Sequence, residues 1–180
     1  MSHAITILAD GFEEIEAVSF IDLLRRAKVE VTILALDSKV VRGSHDIKVN
    51  SDELLENFTG SADAVILPGG PGTSRLMESD RVIRTVIEFF NKGLLCAAIC
   101  AAPTVLGKAG ILKNKKATCF PGFESKLNCA SFSESHVVRD GNVITSRGAG
   151  TAIPFGLELI SYLCGSDVSA KIGSSIIYKS

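Results

Sequence analysis

The sequence predicts a layered α/β domain, with a mostly parallel sheet, helices on both of its faces and a late β-hairpin. Two observations carry this reading. Apolar runs rich in Ile, Val and Leu alternate with stretches of helical periodicity. No internal repeat, low-complexity tract or linker divides the chain, so its 180 residues read as one domain, 1–180. At that length folding buries roughly 70% of the unfolded surface, and no disulfide or metal staple is required.

The elements follow in order. "AITILA" (4 to 9) is a buried strand, residues 13 to 27 form a helix, and "VEVTILAL" (29 to 36) is the next strand, which makes a βαβ opening. "GSHDIKVN" alternates and reads as an edge strand or hairpin arm. "ADAVILPGG" (62 to 70) is a buried strand ending in glycines, and a helix spans Ser79 to Asn91. "LLCAAI" is the following strand and feeds a helix that starts after Cys100. In "SHVVRDGNVITS" the Asp140-Gly141 pair signals a hairpin with a type I′ turn, packed at one end of the sheet. "GAGTAIPFGLELISYLCG" reads as a helix with Thr151 as N-cap, Pro154 in the first turn and Gly165 closing it.

Nineteen basic and twenty acidic residues leave a formal charge of -1, spread without blocks. Nucleic acid and membrane are therefore not expected as partners. The start, "MSHAITILADGFEE", lacks the basic and long apolar regions of an export signal, and a cytoplasmic location is expected. Five cysteines (Cys96, Cys100, Cys119, Cys129 and Cys164) contain no C-x-x-C pair, which favours thiols over disulfides or zinc. The default for each is a small core residue.

Three places bear chemistry. Cys100 falls at a strand-to-helix turn whose neighbours, Ala98, Ala101 and Ala102, are small enough to let a side chain project from the sheet. A thiol at a helix N-terminus is expected to have a lowered pKa. Parity speaks for the core, because Cys96, Ala98 and Cys100 share one strand face. In "GFEEIEAV" the ordinary reading of Glu13, Glu14 and Glu16 is a solvated acidic helix start, yet Glu16 heads the apolar row Phe20, Leu23, Ala27. A carboxyl on a buried row needs a partner or a raised pKa. "LPGGPGT" is neither a Walker A loop nor a dinucleotide fingerprint, but it offers amides for an oxyanion, with the amide of Ala101 as the other half. Fold logic sends all three strand ends to one sheet edge. His3, His45 and His136 all fall outside that crevice, and no His-x-Glu pair follows Cys100, which excludes an amidotransferase-type triad.

With "GFEEIEAV", "VILPGG", "AAICAAPTVL" and "TSRGAGT" in this order and spacing, the sequence resembles the DJ-1/ThiJ/PfpI family, the parkinsonism-associated deglycase group. The resemblance implies a flavodoxin-like three-layer sandwich and a homodimer. It implies Cys100 as the reactive cysteine, Glu16 as its hydrogen-bonding acid, and Gly70 and Ala101 as the oxyanion amides. It also implies cofactor-free chemistry on reactive dicarbonyls or their early glycation adducts, or else a redox-sensing chaperone whose Cys100 oxidises to a sulfinate. Many members carry histidine in a "T-H-P" stretch where this chain has "TCFP", with Cys119 and Phe120. Peptidase chemistry assisted by that histidine is therefore disfavoured. Arg147 in "TSRGAGT" is expected to hold its loop.

Overall fold

In the computed structural model, which describes residues 1–179, the chain runs β1 (His3–Leu8), α1 (Glu14–Arg26), β2 (Glu30–Ala35), β3 (Val40–Arg42), β4 (Lys48–Asn50), β5 (Glu53–Leu54) and β6 (Ala64–Leu67). It continues through α2 (Thr73–Glu78), α3 (Asp80–Asn91), β7 (Leu95–Ile99), α4 (Pro103–Lys108), β8 (Lys116–Ala117), β9 (Ser131–Phe132), β10 (Val137–Asp140), β11 (Val143–Ser146), α5 (Ala152–Cys164) and α6 (Ser166–Ser175).

Seven strands form the central sheet in the order β10-β11-β7-β6-β1-β2-β5, every neighbouring pair parallel except β10 with β11. Strands β2-β1-β6-β7-β11 give the doubly wound, flavodoxin-like order, with the chain changing direction of travel between β1 and β6. Alternation along each strand sorts side chains into two cores. Ala4, Leu8, Ala64, Ile66, Ala97 and Ile99 pack with Phe20 and Leu23 of α1 and Phe155 and Leu159 of α5. Ile5, Ile7, Val65, Leu67, Cys96 and Ala98 pack with Val82 and Val86 of α3 and Val105 and Leu106 of α4. The result is the three-layer sandwich that the alternating pattern predicts.

The late hairpin lies at one end of the sheet, as expected, and joins it: β11 runs parallel to β7 and β10 forms the edge. Several local expectations change. The hairpin's turn is not centred on Asp140-Gly141. Asp140 pairs with Val143, so Gly141 and Asn142 make the two-residue loop, and only Gly141 has positive φ, a type II′ signature. Asp140 stays in the strand because its carboxylate accepts hydrogen bonds from the Lys116 N–H at 2.9 Å and the Lys115 ammonium at 3.3 Å. "GSHDIKVN" supplies the second arm of the separate β3–β4 hairpin. Thr151 sits at the N-cap of α5 without capping it; its hydroxyl is engaged by Ser146 and Gly148 instead. Gly165 ends α5 with φ of 95°. The helix α6, "SDVSAKIGSS", carries too little apolar periodicity to be legible and forms against α5, with the Ser169 hydroxyl donating to the Leu157 carbonyl at 2.7 Å.

Candidate functional site

The loops after β1, β6 and β7 meet beyond the carboxyl ends of the strands, beside the β1–β6 switch point. The loop after β6 is locked to the loop after β1. Gly70 has φ of 89°, and a Cβ there would lie 2.5 Å from the Gly11 carbonyl and 2.7 Å from the Glu13 nitrogen. Only glycine fits such a crossing of two backbones.

Gly69 does more. Its carbonyl accepts the Glu13 N–H at 3.0 Å, and its own N–H donates to Glu16 Oε2 at 2.8 Å, so one residue clamps the start of α1 at two points. A Cβ on Gly69 would lie 2.6 Å from Cys100 Cβ and 2.9 Å from Glu16 Oε2. Gly69 is thus the floor on which the thiol and the carboxyl come together. Sequence reasoning named Gly70 and passed over Gly69; the glycine doublet was its only signal.

Cys100 has φ of 65°, a conformation that costs a non-glycine residue of order 1–3 kcal/mol. Flanking bonds hold it there: the Cys100 N–H donates to the Ser146 carbonyl at 3.0 Å, and the Phe120 N–H donates to the Cys100 carbonyl at 2.8 Å. The turn also breaks strand parity. Cys96 and Ala98 point into the α3–α4 core, whereas Cys100 lies against the opposite core, so the shared-face argument for a buried structural cysteine fails. Among the five thiols, Cys96 and Cys119 are buried, and Cys100, Cys129 and Cys164 are partly exposed.

Glu16, fully buried in α1, is the carboxyl nearest the thiol, and the two groups are within hydrogen-bonding reach. Burial pushes its pKa up to about 7, against the lowering effects of the Gly69 and Cys100 hydrogen bonds. Its Oε1 has no partner in a standard hydrogen bond, which leaves one oxygen of a buried carboxyl for a proton or a ligand. The expected lowering of the thiol pKa is not found. Burial and the adjoining Glu16 push Cys100 up to about 12, outweighing the Gly70 and Ala101 amides that favour the thiolate. The helix behind it, α4, is six residues long and brings little dipole. The structure therefore brings together all four residues singled out in the sequence, Cys100, Glu16, Gly70 and Ala101, with no imidazole among the groups bonded to the thiol.

The other acids of the first turn have separate work. Glu13 is the N-cap of α1, its carboxylate accepting the Glu16 N–H at 2.7 Å. Glu14 is buried, not solvated, and accepts from the His45 N–H at 2.6 Å, the His45 ring at 3.0 Å and the Ser44 hydroxyl at 3.1 Å. Glu13, Glu14 and His45 bring possible metal-ligating atoms within 4.8 Å of one another. The Glu14 oxygens are already occupied by the β3–β4 turn, which makes this cluster a tether. The Arg147 guanidinium lies over the Phe132 ring at 5.9 Å with Nη1 buried and unpartnered, and it is the Arg147 main-chain N–H that donates to the His136 carbonyl at 3.3 Å. No described helix is long and apolar enough to cross a membrane.

A doubly wound sheet with a strained cysteine elbow over a buried glutamate has close counterparts. A family model described as the DJ-1/PfpI family matches residues 2–162, and the chain belongs to that family. It is 39% identical over 184 residues to the Parkinson disease protein 7 homolog of Danio rerio, covering 98% of this chain and 97% of that one. It spans less than half the length of the two DJ-1 homologs of Arabidopsis thaliana, 40% and 45%, at 39% and 40% identity. A Pyrococcus abyssi protein named as a deglycase is 28% identical over 89% of this chain and 99% of its own. Among solved structures, Toxoplasma gondii DJ-1, described as oxidized, superposes with a TM-score of 0.96 at 34% identity, covering both chains fully.

Proposed function

We propose that the protein protects against reactive carbonyl stress by a cofactor-independent glyoxalase or deglycase reaction at Cys100. The observation that carries this reading is the pairing of a thiol in a strained elbow with a buried carboxyl whose pKa lies near 7. A thiol held up to about 12 needs a base within reach, and ionised Glu16 is that base.

With a 2-oxoaldehyde the steps balance without oxidant or reductant. The Cys100 sulfur adds to the aldehyde carbon, the carbonyl π bond breaks, and the thiol proton passes through Glu16 to the new oxygen, giving a hemithioacetal. The Gly70 and Ala101 amides, which favour the thiolate, are the donors proposed for the developing oxyanion. Glu16 takes the proton from the former aldehyde carbon to give an enediolate, the hydroxyl proton passes to the neighbouring oxygen, and Glu16 returns its proton to the adjacent carbon, converting the adduct to a thioester. Water then cleaves the thioester to a 2-hydroxy acid and restores the thiol. The relative named as a deglycase supports this reading. The test is conversion of methylglyoxal to lactate without glutathione by wild type and Cys100→Ala. Lactate from wild type and none from the variant is expected; equal rates would remove Cys100 from the reaction.

A second reading, a redox sensor or chaperone, is favoured by one observation: the Toxoplasma relative was solved in a form described as oxidized. Two equivalents of peroxide would take the thiol through sulfenic to sulfinic acid, releasing two waters. The unpartnered Glu16 Oε1 would then hydrogen-bond the sulfinate. Intact mass after mild peroxide tests this, with two added oxygens expected on the Cys100 peptide.

The working unit is proposed to be a homodimer. Ile15 and Val18 project from the outer face of α1, and Val18 is a ridge between two grooves of about 540 and 220 Å³, lined by Leu23, Ile153 and Ile176 on one side and Ile21, Ile33 and Val49 on the other. A ridge between grooves is the kind of surface that can pair with its own copy.

A further inference from the structure

Nine phenylalanines occur in the chain, and only Phe120 and Phe132 are exposed, by 45% and 36%. Phe120 is tied to the elbow by its main chain, and Phe132 is linked to the same region through Arg147. The Phe120 main chain is bonded to the Cys100 carbonyl, and its ring lies over Gly148, whose Cβ, if it had one, would be 3.2 Å from that ring. Phe123 meets Phe120 edge to face, with centroids 6.5 Å apart and planes at 69°. Phe132 is covered on one side by the Arg147 guanidinium at 5.9 Å, and Arg147 directly follows Ser146, whose carbonyl holds the Cys100 N–H. An exposed aromatic ring tied to the nucleophile's own main chain offers apolar area that a bound substituent can cover.

We propose that Phe120, supported by Phe123 and with Phe132 as a second exposed ring, forms an aromatic wall beside Cys100 that selects electrophilic carbonyls carrying an aryl or long alkyl substituent over those carrying hydrogen or methyl. This deepens the carbonyl-adduct reading above and rests on Cys100 being the attacking group. The wall acts in binding, through ring-to-ring contact with the substituent, and Phe120 is a specificity residue that takes no part in proton transfer. A substrate ring stacked edge to face on Phe120 is expected to gain roughly tenfold over a methyl group.

The experiment has two arms. In the first, wild type is alkylated with iodoacetamide and with iodoacetanilide, its N-phenyl counterpart. In both, the sulfur displaces iodide and loses its proton to the medium. Rates at Cys100, read by peptide mapping, are divided by the rates with glutathione. A preference of roughly tenfold for the phenyl reagent is expected in wild type, lost in Phe120→Ser and reduced in Phe132→Ser. Both positions are exposed, so both variants should fold, and light scattering should show their masses unchanged. An equal normalised rate for the two reagents in wild type, or a preference that survives Phe120→Ser, overturns the wall. A changed mass in Phe120→Ser overturns it too, because the rings would then be covering a second copy. In the second arm, kcat/KM is compared for phenylglyoxal and methylglyoxal, with the difference expected in KM. Turnover of neither, with the alkylation preference intact, sinks the reaction and leaves the wall standing. Cys100-dependent methylglyoxal turnover without an alkylation preference does the reverse.

Discussion

At the scale of single residues, Glu16 has two pH signatures of opposite use. Its pKa is raised from 4.5 to about 7 in the fold, so its contribution to stability is complete below about pH 4.5 and is lost as pH rises through about 7. Glu16→Gln should therefore be more stable than wild type at pH 8, by up to about 3 kcal/mol, with the difference vanishing near pH 4. Urea unfolding at both pH values measures this, and an unchanged difference would mean that the fold leaves the Glu16 pKa where it is in the unfolded chain. As the base for Cys100, the same residue must be ionised to work. Wild-type kcat/KM with methylglyoxal should rise with pH through about 7, and Glu16→Gln should lose that limb together with roughly 100-fold or more of the rate. Gly69 gives a sharper test of geometry. Gly69→Ala places a methyl 2.6 Å from Cys100 Cβ, and is expected to cost about 2 kcal/mol and most of the activity while the sheet persists. Retention of wild-type kcat/KM would show that the floor beneath the thiol yields.

Among the elements, the β3–β4 hairpin depends on α1 through Glu14. Burial opposes the ionised form of this carboxylate, yet the hydrogen bonds from His45 and Ser44 and the local backbone hold its pKa down at about 2. The sign is thus opposite to that of Glu16: the contribution is present above about pH 4.5 and is lost as pH falls toward 2. A Cβ on Gly43 would collide with the same carboxylate, so turn and helix are fitted to each other. Glu14→Gln should loosen residues 43–50 ahead of the rest of the molecule, by about 1–3 kcal/mol. Hydrogen exchange resolves this, with faster exchange expected at the Ser44 and His45 amides; uniform protection would show that strand pairing alone secures the hairpin.

At the scale of the whole molecule, α1 is shared between three tasks. Its inner row packs on α5, where Phe20 and Phe155 meet edge to face with centroids 6.0 Å apart and a Cβ on Gly156 would touch Leu23 Cδ1. Its first turn carries Glu16 into the site, and its outer row exposes Ile15 and Val18. If a second copy covers that outer row, Val18→Glu should yield a monomer by light scattering, with the thiol titration of Cys100 altered only if the partner reaches the site. A dimer of unchanged affinity would exclude the α1 face as the contact.

Sequence alone determined the layers and the meeting place of the site, because both follow from local patterns. Strand runs of Ile, Val and Leu, the helical row of Glu16, Phe20 and Leu23, and the order in which strands end are written in consecutive residues. The late hairpin was legible as two strands, but its turn slipped by one residue, since the groups that keep Asp140 in the strand come from Lys115 and Lys116, far along the chain. Only the tertiary structure decided the state of the thiol. A helix start by itself lowers a cysteine pKa, whereas burial and a carboxylate brought 84 positions along the chain raise it to about 12. It likewise decided that Cys100 leaves the parity of its strand, through a φ of 65° held by Ser146 and Phe120, and that Gly69 rather than its neighbour bears the contact between thiol and acid. Desolvation and close approach depend on which distant segments arrive at a point, and no pattern of neighbouring residues records that.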